Sequence, residues 1–322
     1  MGTANAENET LLPISVLCLN PAVDVTYELP HLIANQKTYA TSTRYDPGGN
    51  GINVGRALRR LHTPAETFCV IGGEMGEFLK RMLARQLHKV FYEEVDGETR
   101  INGTVLERET DTQYEVSGIG PVLSPEHLEH LIENFVQATG QGMAVITGSI
   151  QPNVSVELYA ELAARVRQQG GTAIVDAPVK LLRHAIEGKP FLIKPNLFEL
   201  ESLLNKPLTG IDAVAAAARR IQQSGVDYVC VSMGPDDALL VGPDNTYLAS
   251  VPDVVVSATV GAGDAMVAGL TAAFARNAPA HEALRQGVAC GTGTVQHPGT
   301  ELFSAEDIEH LVPQIEIHTL DR

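Results

Sequence analysis

Ala258-Thr259-Val260-Gly261-Ala262-Gly263-Asp264 is a glycine-rich turn that leads directly into an apolar helical run, residues 265–275. Gly261 and Gly263 allow backbone conformations that other residues avoid, so consecutive N–H groups can converge on an anion at the positive end of the helix. Asp264 would then lie beside that anion. The same pattern is also typical of a plain helix N-terminus capped by aspartate. The stretch therefore predicts either a phosphate site with a neighbouring carboxylate or a helix cap.

Short apolar runs alternate with amphipathic segments of helical length along most of the chain. The predicted buried strands are residues 14–19, 65–71, 143–147, 172–176, 191–193 and 228–232. The predicted helices are residues 53–61, 76–86, 125–139, 156–169, 197–204 and 211–224. This alternation is typical of an α/β fold with a mainly parallel central sheet and helices on both faces. Ligands of such sheets bind beyond the carboxyl ends of the strands.

Two segments interrupt this alternation. Residues 23–45 and 99–117 contain short polar runs with strand character and no helix between them, and Thr110-Asp111-Thr112 is a predicted hairpin tip. Four such strands predict a small β-sheet that covers the main domain as a lid. The alternative is that these strands form two surface hairpins with no role in function. A further hairpin is predicted over residues 238–249, and three helical segments follow it.

Length and composition predict one large α/β domain, residues 13–322, after a flexible polar tail, residues 1–12. The 23 lysines and arginines against 39 aspartates and glutamates give a formal net charge of −16, which opposes binding to nucleic acid. No apolar run approaches the roughly 20 residues that span a bilayer. We therefore expect a cytoplasmic protein that binds neither nucleic acid nor membranes.

Four widely spaced cysteines are predicted to be buried thiols: Cys18, Cys69, Cys230 and Cys290.

A second glycine-rich stretch, Asp46-Pro47-Gly48-Gly49-Asn50-Gly51-Ile52-Asn53-Val54, joins a predicted lid strand to a helix. Its adjacent glycines allow close approach to a ligand, and Asn53 can both donate to and accept from sugar hydroxyls. The glycine spacing is similar to a dinucleotide fingerprint, but no buried strand precedes it. Asp24, just after the first strand, is either a hydroxyl-binding carboxylate or a solvated turn residue.

Three more strand ends carry polar residues. In Lys194-Pro195-Asn196-Leu197-Phe198-Glu199, Asn196 and Glu199 share one face of a helical turn and could hold a hydrated Mg²⁺, although the pattern equally predicts a capping box. Ser232-Met233-Gly234 and Thr147-Gly148-Ser149 place small polar residues where phosphate or sugar would lie. Walker A, HExxH and GxSxG patterns are absent from the sequence.

Together these motifs resemble the PfkB (ribokinase-like) carbohydrate kinases, from Leu17 to about Leu311. The similarity lies in residues 48–53 and 259–264, with residues 194–199 in the expected order between them. It implies a ribokinase-like fold with a small β-sheet lid. It also implies that the protein transfers a phosphoryl group from ATP to a sugar hydroxyl.

The resemblance also implies roles for individual residues. Asp264 would be the catalytic base, with the N–H groups of Gly261, Ala262 and Gly263 as the anion hole. Because a helix N-terminus favours the ionised carboxylate, Asp264 is expected to be a weak base. The implied substrate-binding residues are Asp24, Lys37, Gly48, Gly49, Asn53, Arg100, Asn102 and Ser149. The implied nucleotide-binding residues are Lys194, Ser232, Gly234, Thr259, Gly261 and Gly263. Asn196 and Glu199 would bind Mg²⁺ through its hydration shell.

Within the family, the chain is most similar to phosphosugar kinases, and among them to minor-type bacterial 6-phosphofructokinases. Lys37 and Arg100 would clamp the substrate phosphate from the lid. Tyr39 replaces an arginine of that subgroup, and Asn50 replaces a lysine of the 1-phosphofructokinases and tagatose-6-phosphate kinases. The expected acceptor is therefore fructose 6-phosphate, with those two other activities as alternatives.

The resemblance further implies Mg²⁺ with ATP as cofactor, and a homodimer formed through the lid sheets. It also implies a potassium ion held by carbonyls near Ala258, Val260 and Gly299. Two other classes stay open: a non-catalytic sugar-phosphate sensor, and a kinase for nucleosides or unphosphorylated sugars. The complete set of catalytic and metal-site residues argues against the sensor, and the two lid cations argue against an uncharged acceptor.

Overall fold

The computed structural model describes residues 11–320. Its strands are β1 (Ile14–Cys18), β2 (Ala22–Leu29), β3 (Ser42–Gly48), β4 (Glu66–Ile71), β5 (Lys89–Glu94), β6 (Arg100–Glu107), β7 (Thr112–Val116), β8 (Met143–Thr147), β9 (Thr172–Asp176), β10 (Leu192–Ile193), β11 (Tyr228–Ser232), β12 (Asp237–Val241), β13 (Thr246–Ser250) and β14 (Ile317–Leu320). Its α-helices are α1 (Asn50–Arg60), α2 (Gly73–Leu83), α3 (Pro125–Thr139), α4 (Leu158–Gln168), α5 (Val179–Ala185), α6 (Leu197–Leu204), α7 (Ile211–Gln223), α8 (Ala262–Ala275), α9 (Ala280–Val295) and α10 (Ala305–Leu311).

In the described part of the chain, ten strands form the central sheet, in the order β14-β13-β12-β11-β10-β9-β8-β1-β4-β5. The seven strands from β11 to β5 are parallel, and β12 to β14 add an antiparallel edge. Side chains alternate between the two faces: Val145 of β8 belongs to the core cluster that includes α1, α8 and α9, whereas Ile146 belongs to the cluster that includes α3, α4 and α7. Both faces are covered by helices, which confirms the predicted α/β fold.

A second sheet has four strands, in the order β3-β2-β6-β7. Its two faces differ in chemistry. One face is polar and carries residues at paired positions of neighbouring strands: Asp24, Thr26, Arg44 and Asn102. The opposite face, formed by the alternate positions, carries mainly apolar side chains. The predicted four-stranded lid sheet is therefore present, and its polar face lines a cavity against the loops of the main domain.

Three elements were not predicted from the sequence: β5, α5 and β14. β5 and β14 are edge strands whose apolar residues are only half-buried, and the apolar run of β5 covers just residues 90–92. α5 has only seven residues, too few to show a clear helical period. The four cysteines are buried and free, as predicted.

The amino-terminal boundary of the fold falls within the predicted tail. Residues 1–10 of that tail lie outside the described residues. Leu11 and Leu12 pack against the core, and the Leu12 N–H donates to the Ala275 carbonyl at 3.3 Å. Within residues 11–320, no helix is long and apolar enough to cross a membrane.

Candidate active site

The glycine-rich turn that begins α8 has the strained backbone that its sequence predicts. Gly261 adopts the left-handed conformation, with φ of 81°, immediately before the first helical residue, Ala262. A side chain at Gly263 would lie 3.4 Å from the Lys194 ammonium, so the glycine leaves the space between this helix end and the lysine open. The positive end of a buried helix therefore faces a lysine across a gap.

Asp264 lies in the first turn of α8 and is only 4% exposed. Asn50 Nδ2 donates to its Oδ1 at 2.8 Å, and Asn53 Nδ2 donates to its Oδ2 at 2.9 Å. Burial, reinforced by the nearby charge of Asp176, raises the pKa of Asp264 to about 7, although the two amides and Lys194 oppose the shift. A carboxylate with such a pKa is matched to proton transfer near neutral pH.

Lys194 and Asp176 form an ion pair beside Asp264. Their Nζ and Oδ1 atoms are 3.3 Å apart, and the two residues are 4% and 9% exposed. Burial lowers the pKa of Lys194, but the charges of Asp176 and Glu199 outweigh it, so the net shift is upward and the lysine stays charged. These groups share a cavity of about 230 Å³, called here the core cavity, which is also lined by Asn50, Asn196, Gly261, Gly263 and Asp264.

Asn196 and Glu199 form the predicted capping box at the start of α6. The Glu199 N–H donates to Asn196 Oδ1 at 2.8 Å, and the Asn196 N–H donates to Glu199 Oε2 at 2.9 Å. Burial raises the pKa of Glu199. Both residues also line the core cavity, so the cap does not remove them from the candidate site.

A second cavity, of about 550 Å³, lies between the polar face of the lid sheet and the loops that contain Val260 and Gly299; it is called here the lid cavity. Asp24 lines it and accepts from Asn102 Nδ2 at 2.7 Å. Burial raises the pKa of Asp24, against this hydrogen bond and the charge of Arg100. A side chain at Gly48 would lie 2.2 Å from the Asp24 carboxylate, which explains the glycine there.

The two predicted phosphate-binding cations are held in different places. The Arg100 guanidinium donates twice to the Asn20 carbonyl, at 3.1 and 2.8 Å, and Asn20 Nδ2 in turn donates to Ser149 Oγ at 3.1 Å. Lys37 lies in an exposed segment outside both cavities, with its Nζ 4.8 Å from the centre of the Tyr39 ring. The structure therefore does not bring Lys37 and Arg100 together within one chain.

The predicted nucleotide-binding residues lie at the same edge of the central sheet. Ser232 ends β11 and pairs with Asn196 through a backbone bridge. Gly234 follows with φ of 70°, with open space where a side chain would be, and Thr259 is exposed. None of these three residues lines the core cavity.

Sequence reasoning missed one residue of the candidate site, Asp176, and it did not predict the contacts that Asn50 and Arg44 make. Asp176 ends a buried strand of the parallel sheet, and this position alone could have indicated it. Asn50 lies inside the glycine-rich stretch, but its contact with Asp264 joins residues 214 positions apart. Arg44 donates from the lid to Asp46 at 2.7 Å and to the Pro298 carbonyl at 3.0 Å, which no local pattern indicates.

Comparison with known proteins identifies the class to which this fold and site belong. Residues 11–307 match the pfkB family carbohydrate kinases. The chain is 33% identical to 1-phosphofructokinase of Bacillus subtilis over 310 residues, covering 95% of this chain and 100% of the relative. It is 35% identical to the ATP-dependent 6-phosphofructokinase isozyme 2 of Escherichia coli over 303 residues, covering 94% and 98%. The chain therefore belongs to the pfkB family.

A solved structure agrees with this assignment. Phosphofructokinase-2 from Escherichia coli in complex with substrates and products matches with a TM-score of 0.89 at 35% identity, over 94% of this chain and 99% of that one. The protein is an ATP-dependent carbohydrate kinase, and relatives named for the expected activity and for its 1-phosphofructokinase alternative both occur. The predicted family and fold are thus confirmed.

Proposed function

We propose that this kinase is a cytoplasmic phosphosugar kinase that transfers the γ-phosphoryl group of ATP to fructose 6-phosphate. The observation that carries the proposal is Asp264: a buried carboxylate at the start of α8, held by two amides and facing a charged lysine across the core cavity. Relatives named 1-phosphofructokinase support fructose 1-phosphate as the second candidate acceptor, and tagatose 6-phosphate stays a third.

The proposed reaction uses the groups of the core cavity as one unit. The acceptor hydroxyl oxygen attacks the γ-phosphorus, the bond to the bridging oxygen breaks, and ADP leaves. Asp264 orients the hydroxyl and receives its proton. The transition state is loose, so catalysis depends mainly on alignment and on stabilising charge. We assign the charge stabilisation to the N–H groups of residues 261–263 and the ammonium of Lys194.

The substrate half of the site is proposed on the lid side. Asp24, Asn53 and Asn102 provide carboxylate and amide groups for sugar hydroxyls, and Gly48 and Gly49 allow the sugar to approach the backbone. Arg100, with Ser149 linked to it through Asn20, would bind the substrate phosphate, because a guanidinium matches phosphate in charge and shape. Lys37 would add a second cation from the loop between β2 and β3.

A magnesium ion fits the chemistry of the proposed metal residues. Asn196 and Glu199 each use one oxygen in the capping box, which leaves only part of their capacity for a metal. Within residues 11–320, no group of three His, Cys, Asp or Glu side chains could hold an ion directly. Such a donor set suits Mg²⁺, which keeps several waters and, bound with ATP, neutralises phosphate charge.

Potassium is the less supported of the two proposed ions. Ala258, Val260 and Gly299 line one wall of the lid cavity, and backbone carbonyls are ligands that K⁺ accepts. A solved relative, Escherichia coli phosphofructokinase-2, was crystallised in complex with potassium. If the ion acts here, replacing KCl by choline chloride at constant ionic strength will lower kcat, whereas an unchanged kcat would remove it from the proposal.

An ADP-release assay tests the substrate assignment. Fructose 6-phosphate, fructose 1-phosphate, tagatose 6-phosphate and fructose are compared with equal enzyme, ATP and Mg²⁺. We expect the largest kcat/KM with fructose 6-phosphate. A higher value with fructose 1-phosphate would select the second candidate. Turnover of fructose alone would refute the phosphosugar assignment, and failure with all four sugars, despite ATP binding, would favour the sensor.

We also propose that the enzyme is a homodimer joined by the lid sheets. The apolar face of the lid leaves large side chains exposed in this chain, among them Tyr27, Tyr45, Ile101, Tyr114 and Val116, the last 69% exposed. Contiguous exposed apolar residues of this kind are typical of an interface. One solved relative has a tetrameric inhibited form, so the oligomer must be measured.

Light scattering on the purified chain tests this interface. Val116→Asp should shift the dimer to monomer, because it places a charge within the apolar face. Glu115→Gln, at the neighbouring position on the opposite face, is the matched control and should leave the dimer intact. A Val116→Asp protein with the mass of the unchanged chain would locate the interface elsewhere.

A further inference from the structure

Asn50 is the residue that contacts the proposed base most closely without having been assigned a role. Its Nδ2 lies 2.8 Å from Asp264 Oδ1, and it is the first residue of α1, which directly follows the strained Gly49. A side chain at Gly148 would lie 3.1 Å from Asn50 Oδ1, so the other side of the amide is packed against the end of β8. The Asn50 amide is thus fixed between a strand end and the carboxylate.

The groups around Asp264 show why this contact can affect its ionisation. Asp176 from the end of β9 and Lys194 from the end of β10 are the charged groups that act on it, and they form an ion pair with each other. From α1 come two neutral amides, Asn50 and Asn53. Arg56 lies behind Asn53 and donates to its Oδ1 at 3.3 Å. Asn50 is therefore a neutral donor in direct contact with a buried carboxylate.

We propose that Asn50 is a positioning residue that holds Asp264 Oδ1 through an uncharged hydrogen bond and so sets the orientation and the ionisation range of the base. The proposal rests on the proposed function of Asp264. A carboxylate has about four acceptor positions on its two oxygens, and the two amides use one on each oxygen. The remaining positions stay available for the acceptor hydroxyl.

The chemical type of residue 50 then determines the pH at which the enzyme becomes active. An N–H donor favours the ionised carboxylate, so its removal raises the pKa of the base, and a neighbouring carboxylate raises that pKa further. A lysine at this position would pair with Asp264 and lower its pKa. Asparagine provides orientation with a smaller electrostatic effect than either charged residue.

Four substitutions at this position test the proposal. The acidic limb of the kcat–pH profile is measured for the unchanged enzyme, Asn50→Leu, Asn50→Asp and Asn50→Lys, with the same saturating sugar and ATP. We expect the midpoint to increase in the order Lys, Asn, Leu, Asp, with about one pH unit between Asn and Leu. We also expect Asn50→Gln, which keeps the amide, to restore part of the kcat lost in Asn50→Leu.

Controls separate this proposal from the one on which it rests. Asn245→Ala, in the exposed turn between β12 and β13, should leave the limb unchanged. Thermal melts identify any variant that does not fold. Identical midpoints in the folded position-50 variants, with Asp264→Asn inactive, would overturn the role of Asn50 alone. Full activity of Asp264→Asn would overturn the proposed function instead.

Discussion

The start of α8 and the polar face of the lid sheet bound the same candidate site, but they differ in how far their groups are already arranged. At α8, both oxygens of Asp264 accept hydrogen bonds, and Lys194 is paired with Asp176. On the lid side, Arg100 is bound to a backbone carbonyl and Lys37 lies over Tyr39. The groups proposed for phosphoryl transfer are therefore preorganised, whereas those proposed for the sugar phosphate would have to exchange their partners when substrate binds.

The difference follows from where each half is built. α8 is packed between the central sheet and α9, and nearly all of its residues are buried. Because protein cores are close-packed, this packing restricts the position of Asp264. The lid has four short strands, and the segment between β2 and β3 is largely exposed. Charged side chains on such a segment can change partners at small cost.

The strongest test of the preorganised half is Asp264→Asn. Loss of the base should lower kcat by about 10³-fold, within the range of general base catalysis, while ATP binding stays nearly unchanged because the anion hole is backbone. Steady-state kinetics and ATP titration calorimetry measure the two effects. Asp212→Asn, an exposed aspartate in the first turn of α7, is the matched control. Near-full turnover of Asp264→Asn would remove Asp264 as the base.

The matching test of the lid half is Arg100→Ala. Charge-assisted hydrogen bonds to a phosphate contribute about 1.5–3 kcal/mol, so KM for the phosphosugar should rise about 10- to 100-fold. KM for ATP should change less than about twofold, because the proposed nucleotide-binding residues lie at the other side of the site. Arg81→Ala, an exposed arginine of α2, is the control. Equal increases in both KM values would take Arg100 out of the substrate site.

The sequence predicted the half of the site that local motifs define. The glycines before α8, Asp264, and the capping pair Asn196 and Glu199 are all readable from spacing, because each depends on one turn of backbone. The Asn50 contact was not predictable, since it joins two segments that only the completed sheet brings together. The same holds for the partner of Arg100, a backbone carbonyl with no sequence signature.

The electrostatics of Asp264 show a second limit of local reasoning. The position at a helix N-terminus predicted an easily ionised, weakly basic carboxylate. In the structure, burial dominates and raises the pKa to about 7. The helix dipole follows from the sequence, but the degree of burial depends on β9, α1 and α8 packing together. The sequence can thus indicate a candidate site residue while predicting the direction of its pKa shift wrongly.

Asp264 should also lower stability, and Asp264→Asn tests this. Its folded pKa of about 7 exceeds the unfolded value near 3.9, so the folded state binds the extra proton between these values and stability falls as pH rises through that window. The full shift corresponds to about 4 kcal/mol, of which we expect roughly 2 kcal/mol to be recovered by the neutral amide above pH 7. Little difference should remain near pH 4.

Urea unfolding at pH 4.5, 6 and 8 measures this dependence. The unchanged chain should lose stability relative to Asp264→Asn as pH rises. A constant difference at all three pH values would mean that the pKa of Asp264 is the same in the folded and the unfolded chain. The contrast between the preorganised half and the lid half would then lose its electrostatic basis. The Asp212→Asn control should show no such pH-dependent gain.

The smallest expected effect concerns Arg44, which connects the two halves directly. Its guanidinium joins Asp46 in the lid to the Pro298 carbonyl in the main domain, but the side chain is 38% exposed, so each contact is weak. Arg44→Ala should raise KM for the phosphosugar about threefold and leave kcat nearly unchanged, because it removes a weak contact between the lid sheet and the main domain but no group of the core cavity. Arg167→Ala, an exposed arginine of α4, is the control and should change neither value. If Arg44→Ala lowered kcat as much as Asp264→Asn, the groups of the core cavity would depend on the contact between Arg44 and the Pro298 carbonyl. The contrast between the two halves would then not hold.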